Sequence, residues 1–381
     1  MALIDLWNAD RQQISSKRID QLIAFAGEGR LLDGNSTSDE FRTLLKVVSS
    51  DVIGQWLDEC LEIRFTDFGF VLQDVVNETG RRLGFNVTHG VYRSHSNEGY
   101  DGLWCITGGR AILVEAKSST AYSINLSRIS EYRKQVAPQL KMRPEDISIL
   151  IVVGTEDTSE FEALVRGSRF AWDIRLLGVK SLFRLLKLKE ALDDPKVERQ
   201  IQEILFPQEF TRLDRIVDLV FATAEDAQSA ESDEADEEPD EIEVTTPGIP
   251  RANFHSAILP RLEKHFAQPL VKRSRIQWAT PDDNVLLSCQ VSKQFSKGNA
   301  DFWFGLKRTT RESLEAHSNA FCAFGLGSPD RVLLLPFSLL AQHLEGMFTS
   351  PDKDGDIFHW HVRFAKDGDG VALFVERDRK R

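Results

Sequence analysis

Apolar residues fall at three- and four-residue steps through "RIDQLIAFAGEGRLL" and "DEFRTLLKVVSSDVIGQWLDECLEIRF", which predicts that residues 1–66 are helical. The polar run of "STSDEF" predicts a helix start, because short polar side chains satisfy the free amides of a first turn. From Phe68 the pattern changes. "FGFVLQDVVNETGRRLGF" sets Phe68, Leu72, Val75, Thr79 and Leu83 near one face of an amphipathic helix that stops at Gly84. "FNVTHGVYR", "GLWCIT" and "RAILVEAK" then predict three short strands. "SRISEYRKQVAPQLKM" reads as a helix, "ISILIVVG" as a strand buried on both faces, and "FEALVRGSRFAWD" as another helix. "IRLLGV" is a last strand and "KSLFRLLKLKEAL" a closing helix. The order is helix, three strands, helix, strand. It predicts an α/β (α+β) fold, a mixed sheet with helices on its faces.

Similar patterning resumes after residue 250, with a helix at "HSAILPRLEKHFA" and strands at "NVLLSCQVSK", "ADFWFGLKR", "AFCAFGLG" and "RVLLLPF". A helix at "SLLAQHLEGMF" precedes "IFHWHVRFA" and "GVALFVER", which are expected to close the same sheet. The expected organisation is an N-terminal helical region (1–66), a mixed-sheet domain (67–222), a linker (223–249) and a C-terminal α+β accessory or recognition domain (250–381). The linker is marked by Glu225–Glu243, "EDAQSAESDEADEEPDEIE", which holds eleven acids and no Lys or Arg, followed by "TTPGIP". Dense like charge with little to bury predicts a solvated, extended spacer. The alternative is a nucleic-acid mimic that lies over a basic groove.

Net charge of −12 argues at first against a nucleic-acid partner, but most of it sits in that acidic run. Without the run the chain is close to charge balance, so overall acidity does not decide the matter. No apolar stretch approaches the roughly 20 residues of a membrane span. The N-terminus, "MALIDLWNADRQQ", lacks the basic-then-apolar pattern of a signal peptide. Cys60, Cys105, Cys289 and Cys322 are far apart and have no CxxC spacing. A reduced, cytoplasmic protein without a disulfide framework or zinc knuckle is expected.

The chemistry-bearing stretch is "GYDGLWCITGGRAILVEAKSS", residues 99–119. Alternation along "RAILVEAK" projects Glu115 and Lys117 to one face and Ile112 and Val114 to the other. The turn at Gly108-Gly109 decides where Asp101 falls. A two-residue loop pairing Thr107 with Arg110 sets Asp101 opposite Ala116, on the wrong face. A three-residue loop pairing Thr107 with Ala111, or an equivalent offset, puts it on the face of Glu115. There, the carboxylates of Asp101 and Glu115 with the carbonyl of Ala116 make an oxygen-rich site for Mg²⁺. Lys117 beside it can hold a water in line and neutralise charge on a phosphorane. The plain alternative is an ion pair at a strand end.

Asp101, thirteen intervening residues and then Glu115-Ala116-Lys117 resemble the PD-(D/E)XK nuclease superfamily, which includes many restriction endonucleases. The resemblance covers roughly residues 68–190. It implies a restriction-endonuclease-like core and a Mg²⁺-dependent DNA endonuclease of restriction or phage-defence type, with Mn²⁺ as a possible substitute. It also implies a homodimer or a partner protein of a defence system. The superfamily often carries a Glu on its first helix; laid on "LQDVVNETGRRLGF", that position is Gln73, which can orient a water or ligand but adds no charge. Asp74 and Glu78 are nearby substitutes for that carboxylate, though on a different face. Tyr100 stands where the family usually has Pro. The wider text "QDVVNETGRRLGFNV…GYDGLW" resembles bacterial proteins predicted to be restriction-type nucleases. RNA is an alternative substrate. A catalytically inactive nucleic-acid-binding or adaptor protein on the same fold is the alternative function.

Contacts to nucleic acid are expected from Arg133 and Lys134, after the catalytic strand, and from Lys272, Arg273 and Arg275 in "PLVKRSRIQW". "FHWH" places His359 and His361 on one strand face as a possible metal pair, with a solvent-facing strand as the plainer reading. The aromatics of "ADFWFGL" and Trp360 suit either a core or base stacking.

Overall fold

A computed structural model describes residues 2–92, 99–118, 125–154, 158–192, 195–206, 251–295, 300–351, 356–368 and 370–375. The expected linker lies outside the described residues. The chain divides into two compact units, Met1–Lys189 with Lys196–Leu219, and Glu190–Pro195 with Val220–Arg381.

The first unit opens with helices α1 (Leu3–Ala9), α2 (Arg11–Ser15), α3 (Ile19–Phe25), α4 (Ser36–Val47) and α5 (Ser50–Glu62). Side chains of Asp10, Asn35 and Ser49 accept from first-turn amides of α2, α4 and α5. The "STSDEF" helix is thus capped by Asn35, just before the run. Helix α6 (Phe68–Arg82) begins at Asp67, whose φ is +68°. The Asp67 carboxylate bonds Arg30 at 2.7 Å and the Leu31 amide at 3.1 Å, so it ties the helical region to the start of α6.

The far end of α6 is anchored more deeply. Arg82, 2% exposed, donates to Glu78 (2.7 Å), to Ser50 Oγ (2.9 Å) and to the carbonyls of Leu45 (2.8 Å) and Val48 (2.7 Å). The last two lie at the end of α4, whose final carbonyls have no helical partner. Residues 1–66 therefore pack into the same unit as the sheet.

That sheet runs β1 (Asn86–His89), β2 (Gly102–Ile106), β3 (Arg110–Lys117), β4 (Ile147–Val153), β5 (Ile174–Gly178), in that spatial order. β1, β2 and β3 are antiparallel; β3, β4 and β5 are parallel. Helix α7 (Leu126–Leu140) crosses from β3 to β4, and α8 (Ser159–Arg166) from β4 to β5; α9 (Val179–Ala191) and α10 (Pro195–Leu205) follow. β4 is nearly all apolar because both its neighbours and both faces are covered. Ala111, Leu113, Ile147, Ile149 and Ile151 share a core with Leu126, Ile129, Tyr132 and Val136 of α7.

Among the described residues the second unit holds two sheets, where one was expected. A helix (Arg251–Phe266) precedes β6 (Val271–Lys272), β7 (Gln277–Ala279) and β8 (Leu286–Ser292), which join β10 (Ala320–Leu326) and β11 (Val332–Pro336) in the order β11-β10-β8-β7-β6. β9 (Phe302–Lys307) leaves that path and pairs with β13 (Ile357–Asp367), which also pairs with β12 (Thr349–Pro351) and β14 (Gly370–Phe374). Phe302, Phe304 and Leu306 of β9 and Trp360, Val362 and Phe364 of β13 form one core with Cys322 and Phe324 of β10. Alternation on two strand sets builds that core from two sheets, an outcome a linear pattern does not distinguish from one. Among the described residues, no helix is long and apolar enough to cross a membrane.

Candidate active site

The β2–β3 hairpin sets the geometry. Ile106 pairs with Arg110, so the loop is Thr107-Gly108-Gly109, with φ of +116° and +82° at its glycines. The register differs by two residues from the expected pairing of Thr107 with Ala111, and its parity is the same. Carried one step past its last pair, Gly102 with Val114, it sets Asp101 across from Glu115. There the chain leaves the ladder slightly: the Asp101 amide donates to the Val114 carbonyl at 3.1 Å. The Asp101 carboxylate reaches over the end of β3 and accepts from the Ala116 amide at 2.7 Å.

Asp101 is held by its main chain. Its carbonyl accepts from Gln73 Nε2 (3.1 Å), Asn77 Nδ2 (2.8 Å) and the Gly90 amide (3.1 Å). Gln73 and Asn77 sit one turn apart on α6, on the same face. Asn77 is oriented in turn by Trp104, whose indole donates to Asn77 Oδ1 at 2.9 Å. A Cβ on Gly102 would stand 2.0 Å from that Oδ1, so only glycine admits so close an approach of helix and strand. Asn77 is a positioning residue missed in the sequence; its spacing of four from Gln73 was the available signal.

On the Asp101 side of the strand end, Lys117 Nζ lies 2.5 Å from Glu115 Oε1. Glu115 Oε2 is buried and has no hydrogen-bond partner. Burial, reinforced by the charge of Glu115, pushes the Asp101 carboxyl up to about 7, against the opposing pull of Lys117 and the Ala116 amide. Burial would lower the Lys117 ammonium, but Glu115 and Asp101 outweigh it and raise its pKa. In an extended strand one residue's N–H and C=O point to the same side, so the Ala116 carbonyl also faces Asp101.

These groups fit a divalent cation. A buried carboxylate oxygen without a donor, a second carboxylate that is costly to ionise alone, and a carbonyl beyond the end of β2 form a hard-oxygen set. Asp101, Glu115 and Ala116 would hold the ion. Among the described residues no three His, Cys, Asp or Glu side chains gather as a metal cluster, so the set rests on two acids and a carbonyl. A cleft of about 550 Å³ opens here, walled by residues 65–70 with Arg30, Gln73, Tyr92, Asp101, Ala116, Lys117 and Ser118.

The neighbouring acids are committed elsewhere. Buried Asp74 accepts from Arg42 (3.0 Å) and from the Tyr92 hydroxyl, and lies 3.2 Å from His89 Nδ1. Glu78 binds Arg81 and Arg82, each at 2.7 Å. Burial alone would raise the Glu78 carboxyl, but the two guanidinium groups hold it below its ordinary value. Gln73 enters through its amide nitrogen, directed at a backbone carbonyl.

Of the expected nucleic-acid contacts, Arg133 is half-buried and paired with Asp173 at 3.1 Å, while Lys134 is exposed. In the second unit Lys272 is exposed, Arg273 pairs with Asp283 at 2.9 Å, and Arg275 is half-buried. The three do not form a uniform basic surface. His361 has both ring nitrogens in hydrogen bonds, with Trp303 and Ser350, which removes the His359–His361 metal pair. Trp360 is a core residue at 4% exposure and offers no stacking face. All four cysteines are free, and Cys60, Cys289 and Cys322 are buried.

Compared with protein families and with curated proteins, the chain matches no family model and no curated sequence.

Proposed function

We infer that the first unit is a divalent-metal-dependent nuclease of the PD-(D/E)XK kind, hydrolysing phosphodiester bonds in DNA. The observation that carries this reading is the buried, partnerless Oε2 of Glu115 beside Asp101, with Lys117 on the same carboxylate. A strand-end ion pair needs only Glu115 and Lys117. It does not require that Asp101 be clamped from α6 and brought against them. When bound, a Mg²⁺ or Mn²⁺ ion polarises the phosphate and lowers the pKa of a coordinated water. Lys117 orients the attacking water and offsets charge developing on the phosphate oxygens. Gln73 and Asn77 hold the Asp101 backbone, so that its carboxylate is set before substrate arrives. A role in restriction or phage defence, in the cytoplasm and as a homodimer or with a partner, completes the reading.

Incubating purified protein with plasmid, linear DNA and RNA, in Mg²⁺ or in EDTA, tests it. Metal-dependent cleavage of DNA is expected. Cleavage of RNA alone would reassign the substrate. Inertness on all three, with tight binding to one, would favour the binding or adaptor protein.

A further inference from the structure

The second unit carries an aromatic and basic surface. On β13 the core takes Trp360, Val362 and Phe364, which leaves His359, His361 and Arg363 on the other face. On β9 the core takes Phe302, Phe304 and Leu306, and Trp303, Gly305 and Lys307 share the outer face. The cross-strand pairs are His359 with Lys307, His361 with Gly305, and Arg363 with Trp303. No acid stands at any of these six outer positions.

The rings on this face are locked. Trp303 Nε1 donates to His361 Nδ1 at 2.9 Å, and an indole N–H can only donate. His361 therefore carries its hydrogen on Nε2 and donates to Ser350 Oγ at 2.7 Å. The two ring planes are inclined to each other by only 13°, with centroids 5.1 Å apart. A hydrogen bond from ring N–H to ring nitrogen lies in both ring planes, so the rings meet edge to edge. They lie side by side across β9 and β13, both half-exposed, with the tilted His359 ring 4.7 Å from that of His361.

Gly305 keeps the floor beside it low, and the His359 ring lies 3.7 Å from the place its Cβ would occupy. Cations lie over two flanking phenylalanines: the Arg363 guanidinium is 4.9 Å from the Phe348 ring and the Lys307 ammonium 5.7 Å from that of Phe358. Those two phenylalanines are 48% and 38% exposed. Burial, with the nearby His359 and Arg363, brings the His361 imidazole down to about 4, so it stays neutral and keeps this arrangement at ordinary pH.

We propose that this outer face of β9, β13 and β12 binds single-stranded nucleic acid, with a base stacked on the Trp303–His361 surface and phosphates beside Arg363 and Lys307. An unpaired base offers the π-face that a flat ring surface accepts, whereas a duplex hides its base faces within its own stack. Six described outer positions without an acid, with Arg363 among them, suit a polyanion. The proposal deepens the nucleic-acid reading of the chain, and its test does not depend on cleavage.

The test uses the full chain carrying Lys117→Ala, in EDTA, with a fluorescein-labelled oligothymidylate of about 20 nucleotides and a duplex of equal length, by fluorescence anisotropy. The single strand is expected to bind tighter than the duplex. Trp303→Ala is expected to weaken it at least about tenfold, and Trp303→Phe, which keeps a ring and loses the N–H, only a few-fold. Arg363→Ala is expected to flatten the salt dependence by about one phosphate contact. Unchanged melting of each variant shows that the fold is intact. The proposal is overturned by absence of single-strand binding at low salt, by duplex preference, by a Trp303→Ala variant that binds like its parent, or by a Phe variant as weak as Ala.

Discussion

Lys117 and Glu115 share one hydrogen bond, 2.5 Å from Nζ to Oε1, and leave the second oxygen of the same carboxylate buried without a partner. The lysine satisfies half of the carboxylate. An orphaned buried oxygen carries a full desolvation penalty, and a bound cation would remove it. Lysine and cation would thus act on opposite oxygens of one side chain, and this separates their roles experimentally.

Lys117→Ala is expected to abolish cleavage and to leave Mg²⁺ affinity largely intact, since the lysine acts on water and on transition-state charge. Glu115→Ala is expected to lose both, and Asp101→Asn to weaken metal binding, with partial rescue by Mn²⁺. Calorimetric titration with metal, beside plasmid cleavage, reads the two properties apart. Equal, robust cleavage by wild type and Lys117→Ala would make the lysine a structural strand-end residue.

Gln73 and Asn77 act through Asp101. Asn77→Asp keeps an acceptor for Trp104 but puts a carboxylate against the Asp101 carbonyl in place of a donor. Gln73→Glu does the same from one turn earlier. Each is expected to cost about 1–3 kcal/mol of stability, the range for a buried polar group losing its partner. Each should also lower kcat more than it raises KM, because a misplaced Asp101 affects the chemistry and not the cleft. Unchanged kcat in a folded Asn77→Asp variant would remove the positioning role.

Arg82 joins α6 to the helices before it. Arg82→Ala leaves the end carbonyls of α4 without their donor and Glu78 with Arg81 as its remaining guanidinium partner. Removal of one partner from a buried ion pair costs about 3–5 kcal/mol, so a large loss of cooperative stability is expected in urea. A loss below about 1 kcal/mol, within the range of exposed pairs, would show that the Arg82 contacts do not hold residues 1–66 in place.

His361 titrates low because burial and the nearby His359 and Arg363 disfavour its protonated form. The sign follows from its folded pKa lying below its unfolded value. Its contribution to stability is present above about 6.5 and is lost as pH falls toward about 4. His361→Phe should therefore lose less melting temperature than wild type over that window. An NMR titration of the imidazole that gave an ordinary midpoint would contradict the locked arrangement with Trp303 and Ser350.

Much of this molecule is legible along the chain. Alternation in "RAILVEAK" puts Glu115 and Lys117 on one face, and the apolar run of "ISILIVVG" reads as a strand covered on both sides; local periodicity carries both facts. The helix start at α4 follows from the short polar run "STSDEF", while the start of α5 at Ser49 lies inside a stretch whose periodicity reads as one helix. Other features come from groups far apart in sequence, and no local period encodes them. Asn77 became a positioning residue only when α6 crossed β2 at Gly102. Asp74 and Glu78 left the site because Arg42, Tyr92, Arg81 and Arg82 claimed them first. Two sheets replaced one in the second unit because β9 paired with β13, and a strand's period tells which face it buries but not which neighbour it chooses. The role of Trp303 was decided the same way. Its aromatic neighbours Phe302 and Phe304 turned into the core, and the hydrogen bond to His361, fifty-eight residues away, set the two rings side by side.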